Sequence, residues 1–192
     1  MVVVKLGGSL AGSAELPRWL EMTAAAGGRI VLVPGGGPWA DDVRQAQARE
    51  GFDARTAHRL ALRAMEQYGR TLAAMNAALV PAEDEGAIRD VLAAGKVAVW
   101  MPYAMVAGEA AIPESWDVTS DSLAAWLAGV LDASRLVLVK SLPPVGSQPS
   151  SQEMARLGWV DPAFPRFVRG TFDVKVVGKT ELRFAERLLD AA

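Results

Sequence analysis

The sequence predicts an α/β protein, a three-layer α/β/α sandwich built on a mainly parallel central sheet. Short apolar runs rich in β-branched residues stand at 2–6, 30–33, 97–101, 136–139 and 174–177, and none alternates with polar residues as a half-solvated strand would. Longer stretches with helical spacing separate them, at 39–50, 56–79, 86–94, 120–131 and 180–189. Strand and helix therefore alternate along the chain, and parallel strands joined by helical crossovers are the arrangement that alternation allows.

Composition narrows the class. A chain of 192 residues, 51% hydrophobic with a formal charge of -2, is long enough to bury a substantial core and reads as one globular domain. The Pro- and Ser-rich stretch 143–151 (PPVGSQPSS) marks a subdomain boundary at most. There is no cysteine and only one histidine, His58, so disulfide frameworks and zinc sites are excluded and any metal is expected on oxygen ligands. Scattered charge argues against nucleic-acid binding, and no apolar run approaches membrane-spanning length. A cytoplasmic protein is the expectation.

Lysine is the scarce cation, five against fifteen arginines. Lys5, Lys140, Lys175 and Lys179 lie at or just past the ends of strand-like runs, where open α/β sheets place their ligands, and Lys96 precedes one. The first run ends in Lys5-Leu6-Gly7-Gly8-Ser9 and the second in Pro34-Gly35-Gly36-Gly37-Pro38 before a helix. Glycines let a backbone approach a ligand closely, and successive N–H groups ahead of a helix favour phosphate oxygens. Neither loop is a Walker or dinucleotide fingerprint, and each by itself also reads as a tight strand-to-helix turn. Asp121, in the first turn of the helix at 120–131, reads either as a helix cap or as a partner for the lysines.

Taken in order, the opening Lys5-Leu6-Gly7-Gly8-Ser9, the Gly35-Gly36-Gly37 loop, the segment Asp117-Val118-Thr119-Ser120-Asp121-Ser122 and the strand ending in Lys140-Ser141 resemble the amino acid kinase superfamily, whose members include aspartate, glutamate and uridylate kinases. Thr56-Ala57-His58-Arg59-Leu60-Ala61 and Met65-Glu66-Gln67-Tyr68-Gly69 add a closer likeness to kinases of methanofuran-type cofactor biosynthesis, which convert an aminomethylfuran-methyl phosphate to its diphosphate. The resemblance implies an ATP-dependent phosphotransferase acting on a small phosphorylated acceptor, with Mg²⁺ arriving on the nucleotide, and a homodimer or higher homo-oligomer. It implies that Lys5 and Lys140 meet the transferring phosphoryl group, that Gly7, Gly8 and Ser9 supply donors to the nucleotide, and that Gly35, Gly36 and Gly37 meet the acceptor or the γ-phosphate. Asp121 would hold the lysines in place. Phosphoryl transfer needs alignment and charge neutralisation rather than a covalent nucleophile, and these residue types suit it.

The sequence also departs from the family. Leu142-Pro143-Pro144 stands where many members have an Asp-Gly turn, and the glycine-rich hairpin with a further phosphate-binding lysine is missing. The nucleotide half is thus expected to be abbreviated, with Lys175 or Lys179 as substitutes for the absent cation. These departures keep open a catalytically silent nucleotide-binding or regulatory subunit, and a sugar- or cofactor-binding module with purely structural glycine turns. Residues 102–116 are expected to form an irregular acceptor-binding loop. His58 reads as structural or as an interface residue, Leu60, Met65, Leu72, Met75 and Leu79 as one core or dimer face, and Trp116 and Trp159 as packing residues able to stack on a ring.

Overall fold

In the computed structural model, which describes residues 1–141, 149–168 and 170–190, six strands form one sheet. They are β1 Val2–Leu6, β2 Ile30–Pro34, β3 Leu79–Ala82, β4 Val97–Trp100, β5 Arg135–Lys140 and β6 Asp173–Gly178, in the order β3-β4-β2-β1-β5-β6. Every pairing is parallel, so the mainly parallel expectation resolves to an all-parallel sheet. The helices are α1 Leu16–Ala26, α2 Gly37–Glu50, α3 Ala54–Met75, α4 Glu85–Ala93, α5 Tyr103–Val106, α6 Ser120–Val130, α7 Ser151–Arg156 and α8 Leu182–Asp190. Among the described residues after β5 the chain adds α7, a short 3-10 turn, β6 and α8.

Strand parity divides the core into two layers, because successive side chains point to opposite faces. Val3, Leu136, Leu138 and Val176 pack with Leu123, Ala124 and Leu127 of α6 on one face. Val2, Val4, Leu6, Val137, Val139 and Val177 pack with Trp19 of α1 and Ala185 of α8 on the other. Lys5 shares the parity of Val3, and Lys140 that of Leu136 and Leu138, so both project to the face covered by α6.

Four elements escape the sequence pattern: α1, β3, the single turn α5 inside the segment expected to be irregular, and α7 at the end of the expected linker. α1 has Pro17 in its first turn, where a missing N–H costs nothing, although proline reads as a breaker. The expected helix at 56–79 ends instead at Met75, and Leu79 opens β3. That strand has four residues, includes Pro81, and survives because it is the sheet edge, where one row of N–H groups needs no partner. The expected single apolar face of α3 also divides: Met65 and Leu72 are buried, whereas Leu60 and Met75 are 42% and 50% exposed. Of the expected linker at 143–151, residues 143–148 lie outside the described residues, as does the Leu142-Pro143-Pro144 turn. Ser150 caps α7 by accepting the Glu153 N–H. Among the described residues, no helix is long and apolar enough to cross a membrane.

Candidate active site

From β1 the chain turns to β2 on one side, and from β5 to β6 on the other, so a crevice opens at the carboxyl ends of these two neighbouring strands. Open α/β sheets bind ligands at such switch points. Lys5 and Lys140 stand on its two lips, and Asp121, in the first turn of α6, lies between them. Lys5 Nζ is 2.9 Å from Asp121 Oδ1, and Lys140 Nζ donates to Oδ2 at 2.5 Å. Asp121 and Lys5 are each 5% exposed, so both carry charges that water barely screens. Burial by itself would raise the Asp121 carboxyl, but Lys5 and then Lys140 outweigh it and hold the group below the usual carboxylate range. For Lys140, burial and then the Lys5 charge lower the ammonium, against the pull of Asp121. Two cations share one anion, which leaves positive charge uncompensated at the crevice.

The two glycine loops meet beside this triad. A Cβ on Gly8 would lie 2.3 Å from the Gly37 nitrogen, and one on Gly35 would lie 2.3 Å from the Gly8 nitrogen. Backbone meets backbone, so no side chain fits between the loops. The structural reading of these glycines is therefore correct as far as it goes, but a second property goes with it. Among the described residues, the N–H groups of Gly8, Ser9, Gly36 and Gly37 donate to no protein acceptor. All four residues line a cavity of about 530 Å³ above the sheet, between α2, α3 and the start of α6. Unpaired N–H groups at a helix start form a ready anion cradle.

The profile of the amino acid kinase family matches residues 1–157. The chain belongs to the amino acid kinase family. A curated relative, "[5-(aminomethyl)furan-3-yl]methyl phosphate kinase" of Methanocaldococcus jannaschii, is 28% identical over 141 residues, which is 72% of this chain. The chain spans 64% of that relative's length in the match. Uridylate kinase from Archaeoglobus fulgidus superposes with a TM-score of 0.73 at 14% identity, covering 98% of this chain and 95% of the other. UMP kinase from Bacillus anthracis gives 0.68 at 15% identity over 100% and 92%. These two likenesses establish the shared fold.

In this amino acid kinase family member the cavity wall opposite the glycines mixes flat, apolar and charged groups: Trp116, Leu62, Met65, His58, Asp41 and Arg44. Trp116 is held by donating from Nε1 to Gln47 Oε1 at 2.7 Å, while the Arg44 guanidinium lies 3.8 Å from its ring centroid. The segment expected to contact the acceptor thus supplies Trp116, whereas Trp159 packs against the core as the packing reading held. Its beginning is clamped to α3: Glu66 accepts the Tyr103 N–H at 3.0 Å, and Arg63 pairs with Glu66 at 2.7 Å while lying over the Tyr103 ring. Its end is tied by Glu114 to Arg55 and Arg59.

Asp161, which no sequence signal singled out, holds the start of the helix that carries Asp121. Its Oδ2 accepts from the Thr119 N–H at 3.0 Å, the Thr119 hydroxyl at 2.7 Å and the Ser122 N–H at 3.0 Å, and its Oδ1 accepts from the Ser122 hydroxyl. It caps α6 from about forty residues downstream, so no local capping pattern announces it. The capping role considered for Asp121 therefore belongs to Asp161.

The remaining expected residues are distributed as follows. Gly7 and Gly35 are buried behind the cavity wall, with their N–H groups on Val139 O and Leu6 O. Lys175 shares the parity of Val177, projects to the sheet face opposite Lys5 and Lys140, and pairs with Asp173 at 3.0 Å. The structure does not bring it to the triad. Lys179 stands closer, because its backbone N–H donates to Lys140 O at 2.7 Å, but its ammonium is held by Glu15 at 3.1 Å. Among the described residues no cluster of three or more acidic, histidine or cysteine side chains could hold a metal ion.

Proposed function

We propose that this chain transfers a phosphoryl group from ATP to a small acceptor that already carries a phosphate, in the manner of the aminomethylfuran phosphate kinase it resembles. One observation carries the reading: Lys5 and Lys140 share a single buried carboxylate beside two loops that leave the N–H groups of Gly8, Ser9, Gly36 and Gly37 unpaired. This arrangement favours anions, and its cations and N–H groups act without a nucleophilic side chain or a general base. A phosphate acceptor needs neither, since its oxygen is already an anionic nucleophile.

In this reading Gly8 and Ser9 hold the donor phosphates, and Gly36 and Gly37 hold the acceptor phosphate, so both phosphates lie on one line through the crevice. As the new O–P bond forms and the bond to the leaving ADP oxygen breaks, Lys5 and Lys140 neutralise the charge spread over the transferring oxygens. Asp121 keeps the two ammonium groups aimed and prevents their mutual repulsion. The protein groups beside the phosphates are donors rather than metal ligands, so a Mg²⁺ arriving with the nucleotide would rest on phosphate oxygens and water and would supply further charge neutralisation. Trp116, Leu62 and Met65 provide a flat apolar wall that suits a ring-bearing acceptor. We assign the exposed Leu60 and Met75 of α3 to contact with a second copy of the chain, which sedimentation would measure.

The test is ADP release and ³¹P NMR with ATP, Mg²⁺ and [5-(aminomethyl)furan-3-yl]methyl phosphate, alongside UMP and simple phosphorylated alcohols. A new diphosphate product supports the reading. Nucleotide binding without turnover on any acceptor overturns it in favour of a silent subunit, a role that the displacement of Lys175 and Lys179 from the triad favours.

A further inference from the structure

His58 is the chain's single histidine, and it lines the cavity from α3 while being 3% exposed. Its Nδ1 lies 3.3 Å from the Ser115 carbonyl oxygen. A carbonyl only accepts, so Nδ1 carries the proton and Nε2 is left with a lone pair. That Nε2 is buried and has no hydrogen-bond partner in the protein. An unpaired buried acceptor is costly, and buried polar groups without partners are rare in folded proteins. Burial, the first influence on this ring, disfavours its protonation and outweighs the Ser115 bond and the Glu114 charge, so the ring stays a neutral acceptor near pH 7.

We infer that His58 is a specificity residue for the phosphoryl acceptor, its Nε2 taking an N–H from a primary ammonium group on the same small molecule whose phosphate sits at the glycine loops. The cavity supports a cationic donor rather than a neutral one. Asp41 contributes a carboxylate to the same cavity, the Arg44 that also lines it is held over Trp116, and Arg59, beside His58 in the sequence, is paired with Glu114. The acceptor so described has an anionic end at Gly36 and Gly37, a flat middle against Trp116, and an amine reaching α3. This inference rests on the proposed phosphoryl-transfer reading and adds a contact that distinguishes an amine-bearing acceptor from its amine-free counterpart.

Because there is one histidine, ¹⁵N NMR of the imidazole reports it without ambiguity. The free protein should show Nδ1 protonated and Nε2 bare. Addition of [5-(aminomethyl)furan-3-yl]methyl phosphate should move the Nε2 resonance, and (5-methylfuran-3-yl)methyl phosphate should not. By calorimetry the amine-bearing ligand should bind about tenfold tighter than the amine-free one. His58→Phe should abolish that difference, and His58→Gln, which keeps an acceptor, should restore part of it. A protonated Nε2 in the free protein overturns the inference, as does an equal loss of both ligands in His58→Phe. If wild type binds the two ligands equally, only the amine contact falls. If it binds neither, the acceptor class itself is wrong and the amine contact falls with it.

Discussion

Asp161 holds the start of the helix that carries Asp121. Its carboxylate accepts the N–H groups and hydroxyls of Thr119 and Ser122, the residues that flank Ser120 and Asp121. Asp121 in turn has its oxygens on Lys5 and Lys140. The short segment after α7 thus fixes, through one carboxylate, the position of the only anion in the cationic triad. Asp161→Ala should leave buried donors without an acceptor and cost about 3 kcal/mol of stability. Turnover should fall by about tenfold or more although Asp161 is not among the cavity-lining residues. Asp161→Asn should lose less, since Asn ranks with Asp as a cap. Denaturant titration combined with single-turnover rates checks both; an Asp161→Ala variant with wild-type turnover would remove the coupling to Asp121.

Asp121→Asn tests the triad directly. A cap-only role predicted little change, but the cap is Asp161, and Asp121 is buried between two ammonium groups. Removing one partner of a buried ionic group leaves uncompensated charge, at a cost of about 3 kcal/mol or more. Turnover should fall about a hundredfold, because the lysines repel one another and lose their aim. A fully stable variant would show that water reaches the triad freely.

Lys5→Met keeps the apolar stem packed against α6 and removes the charge. Loss of one stabiliser of the transferring phosphoryl group typically costs about 3 kcal/mol, or roughly a hundredfold in rate. Nucleotide affinity should fall much less, since Gly8, Ser9 and Lys140 remain. Unchanged single-turnover kinetics would place Lys5 outside the reaction.

Gly8→Ala places a methyl group where the Gly37 backbone stands, with a Cβ 2.3 Å from its nitrogen. No side chain is there to move aside, so the two loops must separate. Both the melting temperature and the affinity for inorganic triphosphate should fall, and calorimetry on the purified variant measures the two together. Retention of triphosphate affinity would show that the loops bind no phosphate.

Triphosphate affinity should also depend on pH with a defined sign. Lys140 has a lowered pKa, so its ammonium loses its proton below the usual lysine range, and affinity should weaken as pH rises through that lowered value. A bound anion opposes the deprotonation, and Lys140→Arg should shift the weakening to higher pH. For stability the sign reverses: the depressed Lys140 disfavours the folded state at low pH, and this penalty disappears as pH rises towards the unfolded value. Asp121, also depressed, stabilises the fold above its unfolded pKa, and that contribution is lost progressively as pH falls from there through its lowered folded value. Triphosphate titrations from neutral to alkaline pH check the binding arm.

Much of the fold was legible in the chain because its signals are local. Apolar β-branched runs mark five of the six strands, and β3 was hidden because an edge strand tolerates Pro81 and needs only four residues. Lys5 and Lys140 could be singled out by scarcity and by their place at strand ends, and strand parity even puts them on one face of the sheet. Lys175 looked equivalent in the same terms, yet it is one residue out of step and projects to the opposite face.

The α/β class, the two glycine loops and the cations at strand ends can be read from the chain alone, because backbone freedom, side-chain periodicity and charge are properties of neighbouring residues. It takes the packed fold to show that Gly8 must be glycine to touch Gly37, that Asp161 rather than Asp121 caps α6, and that His58, a residue lining the cavity, keeps a buried and unpaired Nε2. Each of these relations joins residues roughly thirty to sixty positions apart through contacts of a few ångströms, and the chain's local pattern holds no information about distances that arise only when the sheet order brings those segments together.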